Sequence, residues 1–452
     1  MPDYERRFGD WNSASNSYKI SVVRTGLIVS IFSMGAAFGG ITLGKLGDLY
    51  GRKIGILITV IVYLIGCIIQ ISSQYSWIQY FIGRIVTGLG VGSTLVLCPL
   101  LISETAPRAI RGTLVCLFQV ADTFGIFIGY IVCYGTYHNY MGDSRSWRIP
   151  IGLGFAWSLL ILVGLIFTPE SPRYLVKKGE IEAAKRSLAK SRRISANSEI
   201  VLMDLNILIN SVENERLAGK ASWRYYFTGK PKIFQRMMIG CLIESLQVLS
   251  GNTYFFYYGT SNFKSVGLTD SYMTSIILGL DNFVSTFVAF YIIDHLGRRM
   301  TLMLGSAGMI ICLIVYSTVG VVSLYPKEYG VDANKYAGDI MILFCCLYIF
   351  SFASTWGPTS YVIVSEMYGL RIREQAIAMA TAWNWIWGFL ISFFTPIITN
   401  RIHFAYGYVY VGTELTALIY VYFFLPETKG MRLEDVDKMY EAYVPGLAYK
   451  SP

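Results

Sequence analysis

The sequence predicts an all-α membrane protein made of two pseudo-repeated helical bundles, with about 11 transmembrane helices. Three observations predict it. Of 452 residues, 54% are hydrophobic and only 15% charged, where a soluble chain carries about a quarter charged residues. The apolar residues come in continuous runs of about 20, the length that crosses a hydrocarbon core. They do not alternate over ten-residue segments, which sets a β-barrel aside. Finally, the stretch Gly44-Lys45-Leu46-Gly47-Asp48-Leu49-Tyr50-Gly51-Arg52-Lys53 lies between two apolar runs, and a weaker copy, Asp294-His295-Leu296-Gly297-Arg298-Arg299, lies between two others. Matching loops in matching contexts indicate a duplicated plan.

In chain order, residues 1–20 form a polar N-terminal segment. It holds Asp3, Glu5, Arg6, Arg7 and Asp10 and lacks the apolar core of a secretory leader. Residues 21–168 form an N-terminal bundle of five spans, near 23–45, 54–73, 79–102, 113–135 and 149–168. Residues 169–236 form a polar linker. Its stretch from Gly179 to Leu188 places acids first and bases later, which suits the helix dipole. Short amphipathic helices lying under the membrane are expected there. Residues 237–426 hold six spans, near 237–259, 272–293, 301–324, 339–364, 376–398 and 405–425, and 427–452 form a tail.

Basic residues in short loops orient the chain. Lys45, Arg52 and Lys53, then Arg108 and Arg111, Arg298 and Arg299, Arg371 and Arg373 mark one side as cytoplasmic. The linker and tail fall on that side. The net charge of +9 is thereby accounted for without nucleic acid. Eleven spans with an inner C-terminus place residues 1–20 outside with no helix to export them, so one helix is expected to be missing from the front. The eight cysteines and three histidines have no metal-ligand spacing, and there is no nucleophile–base pair or phosphate loop. No enzyme, cofactor, metal or obligate protein partner is expected; lipid is the surrounding partner.

Both halves also carry the pattern Ser-Glu-x6-Arg, in Ser103-Glu104 with Arg111 and in Ser365-Glu366 with Arg373. With Asp48, Arg52, Arg84, Asp294 and Arg298, these residues are expected to form ion-pair networks at the cytoplasmic helix ends. Such networks serve either as a static staple or as a latch broken and remade during alternating access.

These motifs resemble the sugar porters of the major facilitator superfamily, and most closely the fungal hexose transporters, over residues 21 to 440. The resemblance rests on Gly44 to Lys53, Gly83-Arg84 with Gly88, Gly90 and Gly92, Glu104 with Pro107, Arg111 and Gly112, and Asp294 with Gly297-Arg298-Arg299. It rests most specifically on Pro169-Glu170-Ser171-Pro172-Arg173 and Pro426-Glu427-Thr428-Lys429-Gly430, one closing each half. Phe255-Phe256-Tyr257-Tyr258 and Trp383-Asn384-Trp385-Ile386-Trp387-Gly388 point to the fungal hexose branch. The family implies twelve spans in the major facilitator fold, a plasma-membrane location, and a sugar site between two bundles near the midplane. This chain starts, by that alignment, in the first outside loop.

A hexose offers hydroxyls and C–H faces, so amides and aromatic rings suit its site. By the resemblance, the sugar-binding candidates are Gln119, Gln247, Asn252, Tyr258, Asn384 and Trp385. Gly357-Pro358 before Thr359, Ser360 and Tyr361 is expected to break a helix beside them. The stretch Glu244-Ser245-Leu246-Gln247-Val248-Leu249-Ser250-Gly251-Asn252-Thr253 departs from the related Gln-x-x-Gln-Gln-Leu-Ser/Thr-Gly-x-Asn pattern. Glu244 and Val248 replace two glutamines, and Thr253 replaces the asparagine, with Asn252 one position and about 100° of helix away. Asp122, Glu244, Asp281 and Glu414 are acids inside spans. Their scatter over four helices without basic partners favours relaxed constraint over a proton relay. The expectation is a hexose transporter working by alternating access, facilitative, with impaired activity. The alternatives are a non-transporting paralogue and a sugar-sensing receptor.

Overall fold

The computed structural model describes residues 1–13, 16–106, 111–218, 225–226, 229–257, 271–323, 335–368, 372–429, 433–443 and 446. In chain order the elements are α1 (Pro2–Phe8), β1 (Asp10–Asn12), β2 (Ser17–Lys19), α2 (Val22–Thr42), α3 (Leu46–Leu49), α4 (Arg52–Ser72), α5 (Trp77–Thr105), α6 (Arg111–Asn139) and α7 (Arg145–Phe167). They continue as α8 (Pro172–Lys178), α9 (Ile181–Arg192), α10 (Glu199–Ala218), α11 (Ile233–Leu249), α12 (Ser271–Leu296), α13 (Arg298–Ser323), α14 (Lys335–Ser354), α15 (Trp356–Glu366), α16 (Arg373–Ile402), α17 (Tyr406–Phe424) and α18 (Leu433–Ala442).

Nine stretches among the described residues are helices long and apolar enough to cross a membrane. The last, Gln375–Phe424, holds both α16 and α17, joined through the 3-10 turn His403–Ala405. The shorter α11 has 17 residues. Each of the eleven stretches expected to span therefore carries a helix. Pro99 in α5, Pro150 in α7 and Pro396 in α16 lie inside these helices, as spans tolerate when neighbouring groups satisfy the freed carbonyls.

The chain divides into two compact units that cut across its order: Ile31–Phe118 with Arg148–Ser222, and Met1–Ser30 with Gln119–Trp147 and Trp223–Pro452. In the first, smaller unit, α2 and α5 meet backbone to backbone. A Cβ on Gly92 would sit 2.0 Å from the Ala36 carbonyl oxygen, so only glycine permits this approach. Ile56, Val60, Leu97, Leu101 and Leu165 fill the space between α4, α5 and α7. The linker helices α8, α9 and α10 close over their own core of Tyr174, Leu175, Val176, Ala184, Leu188, Val201 and Leu205. Ser171 starts α8 by accepting a hydrogen bond from the Tyr174 N–H at 3.2 Å, and α9 carries Glu182 in its first turn and Lys190 and Arg192 in its last.

In the second, larger unit, the polar N-terminal segment proves to be folded. Residues 10–12 pair antiparallel with 17–19. Asp3 is buried, and its Oδ2 accepts from Trp147 Nε1 at 2.9 Å and from Arg7 Nε at 2.7 Å. The partner that buries Asp3 lies 144 positions away, so no local pattern announces it. The end of α6 packs inside the same unit. Tyr130 Oη donates to the Phe256 carbonyl at 2.7 Å, and Tyr137 stacks on Tyr272 with centroids 4.5 Å apart. The unit's main core gathers α11, α13, α14, α15 and α17 around Trp356, Leu302, Met309, Leu313, Cys345 and Ile349. The expected helix break is present. It falls at Thr355 (φ −130, ψ −82), between α14 and α15, because Pro358 has no N–H to offer the Ser354 carbonyl.

Candidate functional site

The first cluster sits where α4 begins, in the smaller unit. Gly51, with φ +103, turns the chain into the helix, and a Cβ there would lie 2.5 Å from Glu170 Oε2. The missing side chain admits the Glu170 carboxylate to the helix start, where unpaired N–H groups favour an anion. Glu170 Oε1 accepts from the N–H groups of Arg52 (2.9 Å), Lys53 (3.2 Å) and Ser171 (2.8 Å). Arg52 then reaches across to α5. Its Nε donates to Glu104 Oε2 at 3.0 Å and its Nη2 to Glu104 Oε1 at 3.3 Å. Nη1 donates to the Gly47 carbonyl at 2.7 Å and pairs with Asp48 at 2.8 Å. Ser171 Oγ donates to Glu104 Oε2 as well.

The larger unit repeats the carboxylate, arginine and hydroxyl bonds of this arrangement. Gly297 has φ +85, and a Cβ on it would lie 2.8 Å from Glu427 Oε2. Glu427 accepts from the N–H groups of Arg298 (2.9 Å), Arg299 (3.0 Å) and Thr428 (3.0 Å). Arg298 grips Glu366 through Nη2 (2.7 Å) and Nε (3.1 Å), and Thr428 Oγ1 donates to Glu366 Oε2 at 2.7 Å. Arg298 Nη1 donates to the carbonyl five residues back, Ile293, at 3.4 Å, as Arg52 does to Gly47.

The second kind of site is a buried polar cluster on α11, α15 and α16, also within the larger unit. Gln247 uses its amide hydrogens on the broken helix, donating to the carbonyls of Gly357 (2.9 Å) and Trp356 (3.3 Å). Its Oε1 accepts from Asn384 Nδ2 at 2.9 Å, and the same nitrogen donates to Glu244 Oε2 at 2.8 Å. Trp356 is fully buried and fixes the break by donating from Nε1 to Ser306 Oγ at 2.9 Å.

Several expected residues join these clusters and others do not. Asp48, Arg52, Glu104, Arg298 and Glu366 form ion pairs, and every described bond among them lies inside one unit. Arg84 is a correction. It shares α5 with Glu104, twenty positions earlier, which at 1.5 Å per residue is about 30 Å away. Its guanidinium instead lies 4.9 Å over the Phe32 ring. Gln247 and Asn384 come together, while Gln119 and Trp385 are half-buried on α6 and α16. Asn252 Oδ1 is occupied locally, accepting from the Thr253 N–H at 2.6 Å and Thr253 Oγ1 at 3.1 Å. The side chains of Arg111, Asp294 and Arg373, and Tyr258 altogether, lie outside the described residues. The sequence reading did not give Glu170, Ser171, Glu427 and Thr428 a bonding role. Their signal was the repeat of Pro-Glu-Ser and Pro-Glu-Thr at the two corresponding places.

A family model described as "Sugar (and other) transporter" matches residues 1–440. The chain belongs to this sugar transporter family. It is 53% identical over 451 residues to Hexose transporter 2 of Kluyveromyces lactis, covering 99% of this chain and 79% of that one. It is 52% identical over 449 residues to the Low-affinity glucose transporter HXT3 of Saccharomyces cerevisiae, covering 99% and 78%. Among solved structures, it matches the xylose transporter XylE from E. coli in a partially occluded inward-open conformation, with TM-score 0.76 and 24% identity over 91% of this chain and 89% of that one. It also matches the proton:xylose symporter XylE bound to 6-bromo-6-deoxy-D-glucose, with TM-score 0.75 and 26% identity over 92% and 89%. This sugar transporter family member is thus a multi-pass membrane protein of the major facilitator fold, and its relatives are transporters, not enzymes.

Proposed function

We propose that this protein carries a hexose across the plasma membrane by alternating access, down the sugar gradient. The observation that supports the reading most is the Gln247–Asn384–Glu244 cluster against the broken helix. Neutral amides carry both donors and acceptors, as a polyol's hydroxyls require. The names of relatives about 52% identical, a hexose transporter and a glucose transporter, support hexose over other cargo. The sugar-binding set on this reading is Gln119, Gln247, Tyr258, Asn384 and Trp385, with Asn252 at its edge. The two carboxylate–arginine clusters hold the cytoplasmic helix ends.

The affinity is weaker than in an amide-complete site. Val248 and Thr253 are buried where the related pattern has amides. Two missing hydrogen bonds of about 0.5–1.5 kcal/mol each weaken binding roughly fivefold to a hundredfold. The test is radiolabelled glucose and fructose uptake by the unmodified chain in a host without its own hexose carriers. Saturable uptake with a high KM is expected. No uptake, with the protein present at the cell surface, would overturn the reading in favour of a non-transporting or sensing role.

A further inference from the structure

Glu244 stands apart from every other member of the amide cluster. It is 1% exposed, and only one of its two carboxyl oxygens is bonded. Oε2 accepts from Asn384, while Oε1 is buried with no hydrogen-bond partner. A buried oxygen left without a partner costs about 1–3 kcal/mol, and more if it carries charge. Such an atom marks a place where a group from outside the chain can bond.

The surroundings supply no counter-charge. Cys241 lies one turn earlier on α11, and Tyr361 and Tyr368 face Glu244 from α15 and the turn after it. Asp122 of α6 lies beyond Tyr361. From α16 the facing group is Asn384; on α17, which also packs against α11, Tyr420 lies near Tyr368, Tyr410 near Gly251 and Glu414 beside Ser306 and Tyr348. Arg236, two turns before Glu244 on the same helix, lies over the Tyr440 ring at 4.3 Å. None of these described groups facing Glu244 is a cation. An ionised carboxylate here would be a buried charge with one bare oxygen, whereas a carboxylic acid has a neutral Oε1–H ready to donate.

The amide donors of the cluster are already committed. Both Gln247 amide hydrogens go to the α15 carbonyls, and Asn384 Nδ2 serves Gln247 and Glu244. Among the amide and carboxyl groups of the cluster, only Glu244 can therefore supply a further donor; a nearby donor outside that set is the buried, unpartnered Tyr368 hydroxyl. We propose that Glu244, in its acid form, donates from Oε1–H to a hydroxyl of the bound sugar, so that sugar and proton binding favour each other. This rests on the hexose reading of the cluster and adds a proton linkage to it. The proton stays on Oε1 while the sugar is bound. Ionisation turns the donor into an acceptor and leaves an uncompensated charge buried beside the sugar. By reciprocity, affinity for sugar falls as the carboxyl ionises, by up to about tenfold per pH unit.

The test is glucose uptake by the full chain in a carrier-free host or in proteoliposomes, with KM measured from pH 5.5 to 8.5 for the unmodified protein, Glu244→Gln and Glu414→Gln. Glutamine keeps an N–H donor and has no proton to lose. The expected result is a KM that rises at least tenfold with pH in the unmodified protein and stays flat in E244Q, which still transports. Glu414 is also fully buried in a span, but it has no described bond to the amides, so E414Q should retain the full slope. A flat profile in the unmodified protein, an unchanged slope in E244Q, or a slope abolished by E414Q would overturn the proton linkage while leaving hexose transport intact. Absence of hexose uptake by all three proteins at every pH would remove the hexose reading, and this proposal with it.

Discussion

The two carboxylate–arginine clusters share their bonds but not their burial, and that difference sets a measurable asymmetry. Arg52 and Glu104 are 1% and 5% exposed, whereas Arg298 and Glu366 are 13% and 27% exposed. In Glu104→Ala the Arg52 guanidinium stays buried and loses its bidentate carboxylate, while the Gly47 carbonyl, the exposed Asp48 and the Tyr174 ring remain beside it. Breaking a buried pair from one side costs about 3–5 kcal/mol. In Glu366→Ala water reaches the site, and the cost falls to about 1–2 kcal/mol. The assay is the temperature at which the detergent-purified protein loses its monodisperse peak. E104A should lower it clearly more than E366A. The double variant Arg52→Met/Glu104→Met should recover most of the loss, because apolar groups of similar volume leave no stranded charge. Equal shifts for E104A and E366A, or a double variant as unstable as E104A, would refute the reasoning.

Two further outcomes follow from the same geometry. Gly51→Ala and Gly297→Ala each force a side chain into positive φ and against a carboxylate, which costs about 1–3 kcal/mol. Both should reduce the folded yield in detergent, and G51A the more, since its Cβ lies closer to the acid. Val248→Gln restores an amide on α11 and should lower the KM for hexose by roughly two- to tenfold, one hydrogen bond's worth; an unchanged or higher KM would mean that position 248 does not face the sugar.

Most of the helices were legible because membrane spans announce themselves by length and apolarity alone, without any partner. The duplicated loops were legible too, since glycine, aspartate and arginine at a span's end have few other uses. What escaped was contact between distant positions. The Ser-Glu-x6-Arg repeat pointed to Glu104 and Glu366, and the two glycine-containing loops to Arg52 and Arg298, but neither said which acid meets which arginine. The described partners are Arg52 and Arg298, which come from another helix end. Glu170 and Glu427 act by capping helices begun more than a hundred positions earlier. The helix break was legible from Gly357-Pro358 to within two residues. Glu244 was read as one of four scattered acids because sequence shows substitution but not which oxygen is left unpaired.

The placement of these bonds also bears on how the protein moves. A latch for alternating access has to join parts that separate, and it has to be remade each cycle. The described bonds of Arg52, Glu104 and Glu170 lie within one compact unit, and those of Arg298, Glu366 and Glu427 within the other. Each also fastens three separate pieces of chain: a helix start, a helix end and the segment that follows a last span. Bonds of that kind hold helix ends together within a unit, and on the alternating-access reading proposed above they need not open. Between the two roles open from the sequence, the geometry therefore favours the staple for these six residues. On this basis E104A and E366A should be costly to stability in proportion to burial, while the transport rate of whatever protein folds should change far less.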